Sequence, residues 1–271
     1  MRETSTTLKR RLDIVDLVRK EGEVRVEALS EQLGVSTVTI RADLNYLEQQ
    51  GYVVRGFGKA RYNAALLAAT SLPAEATHAD RPAQEQRMAQ HTLRWIDDGL
   101  CVFLGAGEVM HRVLPQLVQV QNLTLTLHDL AMVNTAQQFL QADLQVTGGV
   151  CRRDEPGLVG PSAEQSISSH PLDLCVIEVH GLDAQGRIFH RAPGAARLYA
   201  RAMAHAKQTL AVVSSTDANT ASGAHGMGDL GLLDGVILHQ DLDPALIDTL
   251  LASGLHVDTK VDGLLDFKRQ A

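Results

Sequence analysis

Aromatic residues are scarce in this 271-residue chain: 5 Phe, 4 Tyr and 1 Trp, or 4%. Hydrophobic residues still make up 45% of it, so any core must be built from Leu, Val, Ile and Ala. Cysteine is rarer, with Cys101, Cys151 and Cys175 far apart and no Cys-x-x-Cys pair. This excludes a disulfide framework or a cysteine zinc site as the expected scaffold and makes reduced thiols the default. No run of ~18 apolar residues could cross a bilayer, and the N-terminus lacks the apolar core of a signal peptide. A soluble cytoplasmic protein without a membrane partner is expected. Positive charge is also short: the formal net charge is −7, which argues against a nucleic-acid coat over the whole surface. The shortage is uneven, because residues 1–62 hold 11 Lys+Arg against 9 Asp+Glu, and the remainder 14 against 23. A slightly basic head on an acidic body would confine any contact with DNA to the head.

The informative stretch is residues 24–58. Ala28, Leu29 and Leu33 share one helical face, and Gly34 ends that helix because glycine takes the left-handed position cheaply. Ser36 can cap a second helix, predicted over residues 37–50, with Ile40, Leu44 and Leu47 as its buried stripe. Two short helices joined by a glycine turn make a helix-turn-helix, whose second helix sets its first residues against base edges in the major groove. Ser36, Thr37, Val38, Thr39, Arg41, Ala42 and Asn45 are the expected DNA-binding residues of that helix. Their hydroxyls and guanidinium suit phosphates and base edges. Residues 52–55 and 59–62 read as strands around the turn Gly56-Phe57-Gly58. Such a wing would bring Arg55, Lys59 and Arg61 to the phosphate backbone. The plainer alternative is a helical hairpin used for packing or dimerisation. Upstream, residues 7–21 predict a helix with Leu8, Leu12, Val15 and Val18 on one face. Arg10, Arg11, Arg19 and Lys20 lie off it, either against phosphates or on a solvated surface.

The run Val35-Ser36-Thr37-Val38-Thr39-Ile40-Arg41-Ala42-Asp43-Leu44, with Leu47-Glu48, Gly51 and Arg55-Gly56-Phe57-Gly58, resembles the signature of DeoR-type transcriptional regulators. Arg10-Arg11 with Ile14 fits the start of that module. Arg41 and Asp43 match the family's Arg-x-Asp, and Lys59 stands where its wing turn has a second glycine. The resemblance implies a repressor of a carbohydrate-catabolic operon, with a winged helix-turn-helix head and an effector domain.

Residues 63–82, rich in Ala, Thr and Ser and broken by Pro73 and Pro82, read as a linker with one short helix at 63–69. The expected domains are thus a DNA-binding domain at 1–62, the linker at 63–82, and an effector-binding and oligomerisation domain at 83–271. Beyond it, helices predicted at 84–97, 108–117, 131–140, 162–168, 194–206 and 244–252 alternate with strands at 100–104, 123–127, 144–147, 174–179, 209–213, 235–238 and 255–257. Apolar strands alternating with helices indicate an α/β domain with a parallel sheet covered on both faces. Ligands of such sheets bind beyond the carboxyl ends of the strands. That selects Gly105-Ala106-Gly107, His128-Asp129, Gly148-Gly149 and Val179-His180-Gly181. A glycine loop leading into a helix can hold a phosphate, but Glu108 at this helix start would repel one.

The body is also similar to the DeoR effector domain, which has the fold of ribose-phosphate isomerases and glucosamine-phosphate deaminases. The matches are Gly148-Gly149, the run Gly157-Leu-Val-Gly160-Pro-Ser-Ala-Glu164, Gly181-Leu-Asp183 with Gly186, and Arg201-Ala-Met203. Four positions that serve a phosphorylated sugar in the family have changed. Its Asp-Ala-Gly-Thr-Thr loop is Gly105-Ala-Gly-Glu108-Val here, and its Thr-Asn is Leu127-His128. An acidic residue and a lysine align with Ala196 and Ala200, and Asp-Ser-Ser-Lys aligns with Ser214-Ser-Thr-Asp217.

Two readings stay open. A less anionic effector could be held by Gly105, Ala106, Gly107, Glu108, His128, Gly149, Arg152 and His180, with Arg153, His190 and Arg191 nearby. Alternatively, the body has no ligand and only dimerises. No cofactor, metal site or catalytic residue is expected. His170, His180 and His190 lack the i, i+4 spacing of a helical ligand pair. Cys151 beside Arg152 and Arg153 is a plain loop thiol or a redox sensor, and Ser214-Ser215 lacks the nucleophile elbow. The expected function is therefore a non-enzymatic regulator whose partners are double-stranded operator DNA, a small-molecule inducer and further copies of itself as a dimer or tetramer. The competing classes are a sugar-phosphate isomerase or deaminase with an accessory head, and an architectural DNA-binding protein. The small positive surplus of the head disfavours the latter.

Overall fold

A computed structural model describes residues 2–49, 52–56, 58–62, 81–155, 157–214, 225–241, 243–261 and 263–270. The chain divides into two compact units, Met1–Ser71 and Leu72–Ala271. The expected linker and its short helix lie outside the described residues, except Arg81 and Pro82, which open a helix.

The first unit runs α1 (Arg2–Glu21), β1 (Glu23–Arg25), α2 (Val26–Leu33), α3 (Thr37–Gln49), β2 (Val53–Gly56) and β3 (Lys59–Tyr62). Gly34 ends α2 at φ 64°, its N–H donating to Ser30 O. The Ser36 hydroxyl then accepts from the N–H of Thr39 at 3.2 Å and caps α3. Ile40, Leu44 and Leu47 are fully buried, as their spacing predicts. From α1 it is Ile14 and Val18 that are sealed in the core, while Leu12 and Val15 are half-buried. The strands pair antiparallel in the order β1-β3-β2. At three residues β1 is too short for its alternation to show in the sequence.

The second unit begins with α4 (Arg81–Thr92), β4 (Cys101–Leu104), α5 (Glu108–Val113), β5 (Thr124–Leu127), α6 (Leu130–Phe139) and β6 (Asp143–Val146). A hairpin of β7 (Val150–Cys151) and β8 (Leu158–Val159) leads into α7 (Pro161–Ile167). Then come β9 (Leu174–Val179), β10 (Gly181–Leu182), β11 (Arg187–His190), α8 (Pro193–His205) and β12 (Gln208–Val213). The unit ends with β13 (His225–Asp229), β14 (Gly235–His239), α9 (Pro244–Ala252), β15 (Leu255–Val261) and β16 (Leu264–Arg269). The helix expected at 108–117 tightens into a 3₁₀ turn at Leu114–Gln119, because Pro115 lacks the N–H that would continue it.

The main sheet is eight-stranded, ordered β15-β16-β14-β12-β9-β4-β5-β6. Its strands from β14 to β6 are parallel. The edge departs from expectation: β16 was not foreseen, and β15 and β16 run antiparallel. Period-2 alternation places Leu174, Val176, Leu210 and Val212 in a core under α4, α5 and α6. Cys175, Ile177, Val179, Ala211 and Val213 face a second core under α7, α8 and α9. A small antiparallel sheet, β10-β11-β13, was also not foreseen. Among the described residues no helix is long and apolar enough to cross a membrane.

Candidate functional site

In the first unit, α3 turns a stripe outward that repeats at i, i+3, i+4 and i+7. Val38 is 72% exposed, and Arg41, Ala42 and Asn45 are exposed beside it. Ser36 is exposed, and Thr37 and Thr39 are half-buried. The Ser36 and Thr39 hydroxyls bond each other at 2.9 Å.

The basic groups around this stripe are not equally available. Arg10 and Arg11, candidate phosphate contacts from the sequence, instead clamp Asp43 inside the unit. Their Nε atoms lie 2.6 and 2.9 Å from its two carboxylate oxygens, and Asp43 is buried. The guanidinium of Arg11 also covers the Tyr46 ring at 3.8 Å. Thus the aspartate of the Arg-x-Asp pair serves the fold, while Arg41 points away from it.

On the wing, Glu23 of the unforeseen β1 accepts from Lys59 Nζ and Arg61 Nε, both at 2.6 Å. Lys59 first and Arg61 second hold this carboxyl below its usual range. Lys59 therefore adds less net charge to the wing than its sequence position suggests. Arg55 donates to Asn45 Oδ1 at 3.1 Å and lies 3.6 Å from Glu48. Among the described residues, Arg41 is the cation of α3 and has no ion pair.

In the second unit the carboxyl ends of β4, β5 and β9 converge. The loop Gly105-Ala106-Gly107 leads from β4 into α5. The N–H of Ala106 is shared between Tyr199 Oη at 2.9 Å and His128 Nε2 at 3.1 Å. Those two side chains lie 3.0 Å apart. Nε2 accepting from a backbone N–H leaves the proton on Nδ1, which faces Leu158 O at 3.3 Å. His128 stacks on Phe103 and is fully buried. The His190 ring packs edge-on to Tyr199 and lies 4.3 Å, between centroids, from His180. Burial pushes His128 down to about 4 and His190 down to about 3, and it raises Tyr199. All three are neutral hydrogen-bonding groups at neutral pH.

The start of α5, where a phosphate could sit, is taken by the chain itself. Glu178 on β9 accepts from the N–H of Val109 at 3.0 Å. Burial raises its carboxyl to about 7, against the lowering effect of bonds from Ser214 and Val109. Gly107 makes room for it at φ 152°, where a Cβ would stand 2.1 Å from Glu178 Oε2. Asp129 caps α6 through the N–H groups of Ala131 and Met132 and meets His111 Nε2 at 3.2 Å.

The structure thus joins Gly105, Ala106, Gly107 and His128 directly, and reaches His180 through Tyr199 and His190. Glu108 is half-buried at the start of α5. Gly149 and Arg152 stand exposed beside and on the β7–β8 hairpin. Residues 215–217, in the fourth changed position, lie outside the described residues. Sequence reasoning missed Glu178 and Tyr199. A lone acid in the apolar strand Leu174–Val179 was the available signal for the first. Nothing in the pattern of α8 distinguished the second from a core residue. Among the described residues no group of three or more His, Cys, Asp or Glu could hold a metal ion.

Comparison with known proteins agrees with this division. A family model described as a DeoR-like helix-turn-helix domain matches residues 10–65, and one for the DeoR C terminal sensor domain matches residues 80–239. The chain is 24% identical to the HTH-type transcriptional repressor CsqR of Escherichia coli K12, over 87% of this chain and 88% of that protein. It is 27% identical to the L-fucose operon activator of the same strain, over 82% and 90% respectively. Among solved structures, a ribose 5-phosphate isomerase from Plasmodium falciparum aligns with a TM-score of 0.38 and 9% identity, over 69% of this chain and 78% of that one.

Proposed function

Because this chain belongs to the DeoR family of DNA-binding transcriptional regulators, we propose that it represses a carbohydrate-catabolic operon and leaves its operator when a small-molecule inducer binds. The names of the relatives support this: one is a repressor and another acts on a sugar operon. The observation that carries the DNA-reading part is the outward stripe of α3, with Ile40, Leu44 and Leu47 anchoring it from behind. Ser36, Thr37, Val38, Thr39, Arg41, Ala42 and Asn45 meet the groove and its walls, and Arg55, Lys59 and Arg61 flank it. A single recognition helix reads only a few base pairs, so the protein acts as a homo-oligomer. We read it as a cytoplasmic binding protein rather than an enzyme. Arg41→Ala should lower operator affinity without changing the melting curve. If Arg41 touches a base, discrimination falls by ~1–3 kcal/mol; if it touches phosphate, affinity drops evenly and the salt slope shrinks by about one. Unchanged operator affinity would refute the assignment.

The effector reading rests on Glu178. The Glu178 carboxyl on the N–H of Val109 occupies the place at the start of α5 where an anionic group would gain most. The neighbouring His128, Tyr199 and His190 are neutral and supply none of the positive charge that a phosphate would need. A neutral polyhydroxylated effector therefore fits better than a sugar phosphate. Neutral sugars and polyols should include one that raises the melting temperature saturably. At a hundredfold excess over Kd, binding adds ~2.7 kcal/mol, a shift of about 5–11 °C for a domain this size. Sugar phosphates should give no shift, and a saturable shift with one of them would overturn this part.

A further inference from the structure

Val38 is the most exposed large hydrophobic side chain among the described residues, ahead of Val150 at 57% and Val54 at 51%. It lies in the first turn of α3, on the same outward stripe as Arg41, Ala42 and Asn45. The fold gains nothing from it there. A β-branched residue is a weaker helix former than alanine at an exposed position, and an exposed isopropyl group buries no surface. Three polar residues at its front already make bonds within the unit. The hydroxyls of Ser36 and Thr39 bond each other, and Asn45 Oδ1 accepts from Arg55. Beside these polar groups the front of the helix offers a partner one unpaired guanidinium on Arg41, flanked by the methyl groups of Val38 and Ala42.

In a DNA major groove the apolar feature of a base edge is the 5-methyl group of thymine, which no other base carries. The adjacent cation fixes the same occupant, since a phosphate-lined groove satisfies Arg41 while the methyls meet the floor. We propose that Val38 is a specificity-determining residue that reads the 5-methyl group of a thymine in each half-site. This rests on the DNA-reading assignment of α3 made above and goes beyond it by naming the atom that is read.

The test keeps the two apart. The full chain is used to select binding sites from a random duplex library, and each thymine of the selected site is then replaced singly by deoxyuridine. That change removes the methyl and preserves base pairing. For the wild-type protein, one position per half-site should lose about fourfold in affinity, the effect of one buried methyl-sized group. Val38→Ala, which keeps or improves helix propensity, should bind the thymine duplex about fourfold more weakly and be indifferent to deoxyuridine at that position. Equal sensitivity in the wild type and Val38→Ala would assign the methyl to another residue and overturn the proposal. So would a selected site insensitive to deoxyuridine everywhere, with the DNA-reading assignment left standing. Failure to enrich any site would remove both.

Discussion

Asp43→Ala should unfold much of the first unit at physiological temperature while leaving the second unit's transition where it is. The carboxylate is buried and bonded on both oxygens, by Arg10 and by Arg11. Removing one member of a buried ion pair leaves uncompensated charge and costs about 3–5 kcal/mol. Both guanidiniums keep some access to water, so about 2–3 kcal/mol is expected here. The helix-turn-helix unit is short, and small units have little stability in reserve. The chain's one tryptophan, Trp95, lies in the second unit, so its fluorescence follows that unit alone. Circular dichroism should show an early loss of helix in Asp43→Ala, with the Trp95 transition unchanged and operator binding lost. Asp43→Asn, which keeps an acceptor, should fall between. A variant that melts like the wild type would show that the clamp is not what joins α1 to α3.

The second unit should lose stability from about pH 7 to about pH 4.5, and Glu178→Gln should make that loss steeper. His128 is held near 4 and His190 near 3, first by burial. In the unfolded chain these imidazoles take up protons below about 6.5. The unfolded state then binds more protons than the folded one, so stability present above pH 6.5 is lost as pH falls. Glu178 has the opposite sign. Its folded value of about 7 lies above the ordinary 4.5, so its contribution is complete below 4.5 and is lost as pH rises through 7. By pH 4.5 the two histidines together remove about 5 kcal/mol and Glu178 returns about 3, a net loss of about 2. Without the glutamate the loss becomes about 5 kcal/mol. Urea titrations followed on Trp95 across this range measure both. A flat profile, or a shallower one for the variant, would place these side chains in contact with water.

The two units differ in how far they could be read from residue order. In the first, local rules agree with one another: a glycine stop, a serine cap and an apolar stripe at helical spacing all lie within a few residues of each other. In the second, alternating apolar strands announced a covered parallel sheet. The antiparallel edge was hidden because β16 carries Asp266, a buried carboxyl that meets His91 at 2.7 Å and Arg94 at 3.6 Å. Strands β10, β11 and β13 are short, and their pairing spans a whole helix and strand, which no local pattern records. The glycine loop after β4 was legible as a place where strand ends converge. The side chains that fill it were not, since Glu178 and Tyr199 reach it from β9 and α8.

Residue order alone determined that this chain carries a helix-turn-helix and a two-faced sheet, because caps, stops and periodicity act between neighbours a few positions apart. Which charges face outward was decided only by tertiary structure. Arg10, Arg11, Lys59 and Arg61 look like Arg41 in a sequence, and only folding brings Asp43 and Glu23 against them. The same holds for the strand-end loop, where a carboxylate from a strand some seventy residues away settles on the helix start. Electrostatic pairing depends on distance in space, and the chain acquires those distances only when it closes.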